Sequence, residues 1–156
     1  MWNLFKKESK KTLVSPVDGK VIPLAQVEDE AFSSGSIGTG YAVKFEGNQV
    51  VAPINGEVAT CFPTGHAIGI KADASDVIIH IGIDTVNMHG EGFHVAVKEG
   101  DIVKKGDLLV KVDSKFIQEK GYDPVTMVLL TNGNTVSLSA ENCIVKAGDE
   151  VAEYME

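Results

Sequence analysis

A turn sequence that occurs twice limits what this chain can fold into. Ser15-Pro16-Val17-Asp18-Gly19-Lys20-Val21 is echoed by Ala52-Pro53-Ile54-Asn55-Gly56-Glu57-Val58. The Asp-Gly and Asn-Gly pairs suit two-residue hairpin turns, whose central residues take positive φ. A second echo relates Glu99-Gly100-Asp101-Ile102-Val103-Lys104-Lys105-Gly106-Asp107 to Lys146-Ala147-Gly148-Asp149-Glu150-Val151, where Gly-Asp turns precede valine-bearing strands. The two echoes differ in spacing, so the repeat is a duplicated β motif and not a solenoid.

Between these turns 40–45, 48–52, 108–113, 126–131 and 135–138 are further strand candidates, most of them alternating and bounded by Gly, Asn or Pro. The one helical signal is 114–121, with Ser114 as N-cap and Gly121 beyond the C-terminus. The spacing therefore predicts an all-β fold: an antiparallel β-sandwich or flattened barrel with very little helix. A chain of 156 residues, 44% hydrophobic and 23% charged, makes one domain with a real core, placed here at 12–156. Residues 1–11 differ, clustering lysines beside Trp2, Leu4 and Phe5 as a flexible basic arm. Such an arm suits weak contact with an anionic membrane surface.

The net charge is −8, every base is lysine and arginine is absent, which argues against nucleic acid as a partner. No secretory leader or run of eighteen apolar residues appears, so the expectation is a cytoplasmic protein without disulfides. Cys61 and Cys143 are expected as small buried hydrophobes.

Chemistry is expected where histidine interrupts apolar strands. In the run 76–84, a strand period of two puts Ile78, His80 and Gly82 on one face, with Gly82 leaving room beside the imidazole. A lone histidine in such a run reads as a satisfied core group. A second one changes that reading: at 62–70, alternation puts Thr64, His66, Ile68 and Ile70 on one face and Gly65, Ala67 and Gly69 on the other. If the two strands pair, the imidazoles face each other across the ladder.

Thr64-Gly65-His66-Ala67, His80-Ile81-Gly82-Ile83-Asp84-Thr85-Val86, Gly90-Glu91-Gly92-Phe93 and the Pro16 turn together resemble, in order and spacing, the glucose-class enzyme IIA of the bacterial sugar phosphotransferase system. The resemblance runs from about Leu13 to Val151. It implies a β-sandwich of duplicated hybrid topology with a shallow apolar active face. His80 then corresponds to the phosphorylated histidine, His66 to a second active-site histidine, and Thr64 to a member of its hydrogen-bond network. It further implies that phosphate arrives from the histidine-containing phosphocarrier protein HPr and leaves to a cysteine of a sugar-specific IIB domain during sugar uptake.

The residues agree with that chemistry. A neutral imidazole attacks a phosphoryl group through one nitrogen when the other is held as a donor. No lysine lies between Cys61 and Ile70 or between Asp76 and Val97, so nothing cationic there traps the phosphoryl group. Asp84 lies four residues beyond His80, roughly 13 Å along a straight strand, and is expected as a rim charge for a basic partner, together with Asp29. Ala31, Phe32, Phe62, Ile68, Ile78 and Val86 are the candidate apolar docking ring. His89 and His94 fall outside the motifs and are expected on the surface.

Three other readings compete. A lysostaphin-type zinc endopeptidase shares the His-x-x-x-Asp spacing of His80 and Asp84 but needs a His-x-His pair that is missing. A biotinyl or lipoyl carrier needs a lysine at a hairpin tip in a motif this chain lacks. A purely regulatory binding module would use the same face. No cofactor is expected; His66 and His80 alone are half a zinc site, completed only by a partner's carboxylate.

Overall fold

The computed structural model describes residues 11–73 and 75–155. Residues 1–10 of the expected basic arm lie outside them, and Lys11 is already strand, opposite Tyr154. The chain runs β1 (Lys11–Val14), β2 (Gly19–Pro23), α1 (Glu30–Ser33), β3 (Thr39–Phe45), β4 (Gln49–Val51), β5 (Gly56–Cys61), β6 (Ala67–Ala72) and β7 (Ser75–Ile81). It continues through β8 (His94–Val95), β9 (Ile102–Val103), β10 (Leu108–Lys111), α2 (Ser114–Glu119), β11 (Thr126–Leu130), β12 (Thr135–Leu138), β13 (Ile144–Val145) and β14 (Glu150–Met155). An eight-stranded sheet has the order β13-β2-β3-β11-β7-β6-β5-β9, and two three-stranded sheets have the orders β1-β14-β12 and β4-β10-β8. The ladders are antiparallel, as the alternation predicts.

The duplicated motif is present, but its turns are not hairpins. β1 pairs with β14 and β4 with β10, so neither strand folds back on the one that follows it. Asp18 and Asn55 do not take positive φ. Instead the repeats bind each other reciprocally. Val14 N–H donates to the Pro53 carbonyl at 3.0 Å, and Val51 N–H to the Pro16 carbonyl at 2.7 Å. Asp18 Oδ1 accepts from Ala147 N–H at 2.8 Å, and Asn55 Oδ1 from Lys105 N–H at 2.8 Å, so each side chain caps a Gly-Asp turn far along the chain. The glycines are there for close approach: a Cβ on Gly19 would collide with the Lys44 carbonyl, and one on Gly56 would stand 2.6 Å from that of Lys71.

Two further expectations are corrected. Asp113, not Ser114, caps α2, accepting from Lys115 N–H at 2.9 Å, because the Ser114 hydroxyl is taken up by Gly47 N–H at 3.0 Å. Both cysteines are free, but Cys143 is exposed and only Cys61 is half-buried.

The period of two sorts side chains into two cores. Ile68, Ile70, Ile79 and Ile81 point inward from the large sheet and meet Leu13, Val50, Val110 and Val151 of the small sheets in the main core. On the outer face, Ile22, Ala42, Met127 and Leu129 make a second, smaller core, roofed by Leu24, Val27 and Phe32 from the segment that contains α1. No helix among the described residues is long and apolar enough to cross a membrane.

Candidate functional site

The two histidines meet at the open margin of that outer core. His80, on β7, is opposite Ala67 of β6 and Met127 of β11, and Ile78 is opposite Gly69 and Leu129. The side chains of Ala67 and Gly69 are too small to cover the neighbouring strand, so His80 stands beside an opening. Gly82 is not the source of that space: its φ of 79° turns the chain out of the strand, and a Cβ there would strike Thr85. What Gly82 supplies is its carbonyl, which accepts from His80 Nδ1 at 2.9 Å. A carbonyl only accepts, so Nδ1 carries the hydrogen and the lone pair is on Nε2.

His66 reaches the same place by leaving the ladder. β6 begins at Ala67, and Thr64, Gly65 and His66 form a turn closed by Gly65 N–H to the Phe62 carbonyl at 2.8 Å. Ile81 N–H still donates to the His66 carbonyl at 2.7 Å, but the ring is turned to the outer face, against that of His80. The rings of His66 and His80 pack edge to face with centroids 5.2 Å apart. The Thr64 hydroxyl is hydrogen-bonded to His66 Nδ1, which leaves His66 Nε2 as the free nitrogen.

Because the ladder breaks at Gly65, the alternation assumed for 62–70 fails. Ile68 is 0% exposed, in the main core, and is no part of any docking ring. Ala67 and Gly69, placed by alternation on the face away from the histidines, line the site instead. Phe32 is buried, its ring centroid 4.9 Å from that of His80. Ile78 is half-buried against the outer core. Phe62, 41% exposed, packs edge-on to His66 at 5.4 Å, and Val86 is 47% exposed. Ala31 is exposed on α1.

Asp84 is exposed at a left-handed turn with φ of 60°, so the straight-strand distance does not apply, and both it and Asp29 lie near enough to act on His80 through space. Asp29 also has a local task that the sequence reading missed, capping α1 by accepting from Ala31 N–H at 3.0 Å. His89 and His94 are on the surface, as expected. Among the described residues no three His, Cys, Asp or Glu side chains gather where a metal ion could be held.

Burial holds the His80 imidazole's pKa down to about 4, and the neighbouring His66 acts in the same direction. The bond to Gly82 and the charges of Asp29 and Asp84 oppose this without reversing it. His66 is also lowered, by burial. Both rings are therefore neutral at neutral pH.

This state has a cost in acid. Unfolded His80 takes a proton near its ordinary 6.5 but folded His80 only near about 4, so its contribution to stability is whole above 6.5 and is lost as pH falls toward 4. Between those limits wild type should lose about 3 kcal/mol more than His80→Gln, at about 1.4 kcal/mol per pH unit. Urea unfolding of both proteins at pH 7 and pH 4 checks this, and parallel losses would refute it.

A family model described as the phosphoenolpyruvate-dependent sugar phosphotransferase system, EIIA 1, matches residues 11–136. The chain is 44% identical over 139 residues to the PTS system glucose-specific EIIA component of Oceanobacillus iheyensis, covering 86% of this chain and 84% of that protein. It is also 44% identical over 132 residues to the PTS system beta-glucoside-specific EIIBCA component of Bacillus subtilis, covering 84% of this chain but 22% of that longer protein. Among solved structures, glucose permease IIA from Mycoplasma capricolum matches with a TM-score of 0.85 and 36% identity, over 94% of this chain and 96% of that one.

Proposed function

Because the chain belongs to the EIIA 1 family of the phosphoenolpyruvate-dependent sugar phosphotransferase system, we propose that it carries a phosphoryl group on Nε2 of His80. The observation that carries this reading is the bond from His80 Nδ1–H to the Gly82 carbonyl, which fixes the tautomer and presents the lone pair to the opening. In uptake, that lone pair forms the N–P bond as the bond to the histidine of HPr breaks and the donor histidine recovers its pair. In delivery, a IIB cysteine thiolate attacks phosphorus and the His80–phosphorus bond breaks. A β-glucoside-specific EIIBCA relative joins A and B domains in one chain, which supports a IIB domain as the receiver.

Thr64 donates to His66 Nδ1 in this reading, so His66 Nε2–H points at a phosphoryl oxygen. Phe32, Phe62, Ile78 and Val86 surround the histidines as the apolar docking surface, with Asp29 and Asp84 as the acidic rim that meets basic partner residues. We place the protein in the cytoplasm, next to the membrane permease. The chain needs no resident cofactor for this transfer. His80 Nε2 offers zinc a lone pair, and His66 Nε2 does so once that ring moves its hydrogen to Nδ1 and donates to the Thr64 hydroxyl; these are two of the four ligands zinc prefers, so zinc binds tightly only when a partner adds a carboxylate. Calorimetric titration of the isolated protein should accordingly show no tight zinc site; a stoichiometric nanomolar one would reverse this.

The direct test is intact mass after incubation with phosphoenolpyruvate, enzyme I and HPr. One added phosphoryl group, labile in acid and mapped to the peptide containing His80, is expected. No added mass, or a group mapped elsewhere, overturns the reading.

A further inference from the structure

The Gly90-Glu91-Gly92-Phe93 motif has no part in the chemistry above, and its packing gives it one. The segment lies behind the turn that carries His66. A Cβ on Gly65 would stand 3.0 Å from Val95 Cγ2 and 3.1 Å from Phe93 Cβ, so the turn is pressed against both side chains. Gly90 is in ordinary contact with the same turn, since a Cβ there would lie 3.6 Å from the Thr64 carbonyl oxygen. The segment is backed in turn by α2: a Cβ on Gly92 would be 2.5 Å from the Phe116 ring. Phe93 is rooted in the main core, while Val95 is 39% exposed on β8, which pairs with β10. Contacts therefore run without a break from α2 through Gly92, Phe93 and Gly65 to His66, whose ring rests on that of His80.

We infer that Phe93 and Val95 are positioning residues for His66: they hold its turn so that Nε2 faces the group on His80. The inference rests on the role given to His66 above. The need for such a brace follows from topology. Thr64, Gly65 and His66 lie outside the β6 ladder, and a left-handed glycine with φ of 74° is a hinge unless its surroundings fix it. A donor that acts on a transferring group must be held closely, because displacement by an ångström costs orders of magnitude in rate.

Phe93→Leu, Val95→Ala and Gly65→Ala test this, with two measurements on each. The ¹⁵N spectrum of the His66 ring reports its tautomer without any transfer reaction; rapid quench gives the rates of uptake from HPr and of delivery to a IIB domain. The expected result is uptake within about threefold of wild type, delivery lowered about tenfold, and His66 nitrogens shifted toward a mixture of tautomers. Variants that are merely less stable, with an unchanged His66 spectrum, would overturn the inference, as would equal losses in uptake and delivery. Should wild type itself take up no phosphate, the functional reading fails, and the ring spectra still decide whether the brace exists.

Discussion

His80→Ala should fold as wild type does and take up no phosphate. In the proposed transfer, uptake needs a lone pair at the opening of the outer face, and His80 Nε2 is the atom to supply it because Nδ1–H is held by Gly82. His66 does not replace it. With Thr64 donating to its Nδ1, its hydrogen is on Nε2, which then has no lone pair to offer. Loss of a covalent nucleophile has no partial substitute, so the rate should fall by a factor on the order of 10⁴ or more. The fold survives because His80 sits at the margin of the smaller core, where removing the ring forfeits contacts with Phe32 and His66 but opens no cavity in the main core. It also removes a buried imidazole that resists protonation, which favours the variant in acid. Phosphate on an intact His80→Ala protein would end the assignment.

His66→Gln should separate the two halves of the reaction. Glutamine keeps an amide N–H near the place of Nε2–H, so a phosphoryl group arriving from the proposed donor, HPr, should still find a neutral donor. Delivery asks for more. Once His80 carries a phosphoryl dianion, the low proton affinity that burial gives His66 is offset by the charge beside it. An imidazole can then take up a proton and stabilise charge as the group leaves, which an amide cannot do. Removal of one such donor typically costs 10²–10³ in rate, so delivery should slow by about 10²-fold while uptake changes a few-fold. Rapid-quench rates with a purified IIB domain measure both steps. Delivery at the wild-type rate would mean that His66 does no more than pack against His80.

How much of this was legible in the sequence depends on whether the signal was local. The all-β architecture was, since the alternation at 135–138 and the short, turn-bounded apolar run at 126–130 both report strands wherever they pair. The duplication was also legible, though for the wrong reason. Asp-Gly looks like a hairpin because nearby residues are all a sequence displays, whereas the partner of Asp18 is Ala147. The pair of histidines could be found from their apolar settings, and the face shared by Ile78 and His80 from the period of two, but the face around His66 could not. Alternation was carried back through Gly65, where the ladder has already ended, and that error alone put Ile68 in the docking ring. The Gly82 carbonyl, which accepts from His80 Nδ1 and so sets the tautomer, has no side-chain signature. A glycine just past the end of a histidine-bearing strand was the one hint available.

The exchange of backbone bonds and caps between the two repeats bears on how the molecule comes apart. Pro16 and Pro53 each accept from the other copy, and Asp18 and Asn55 each cap a turn far along the chain. Neither repeat can open without stranding polar groups in its twin, so unfolding should be all-or-none, with no half-melted species under gentle denaturation. For a molecule that ferries a reactive phosphoryl group between partners, the gain is kinetic: the sheet beneath the histidines does not fray while it waits.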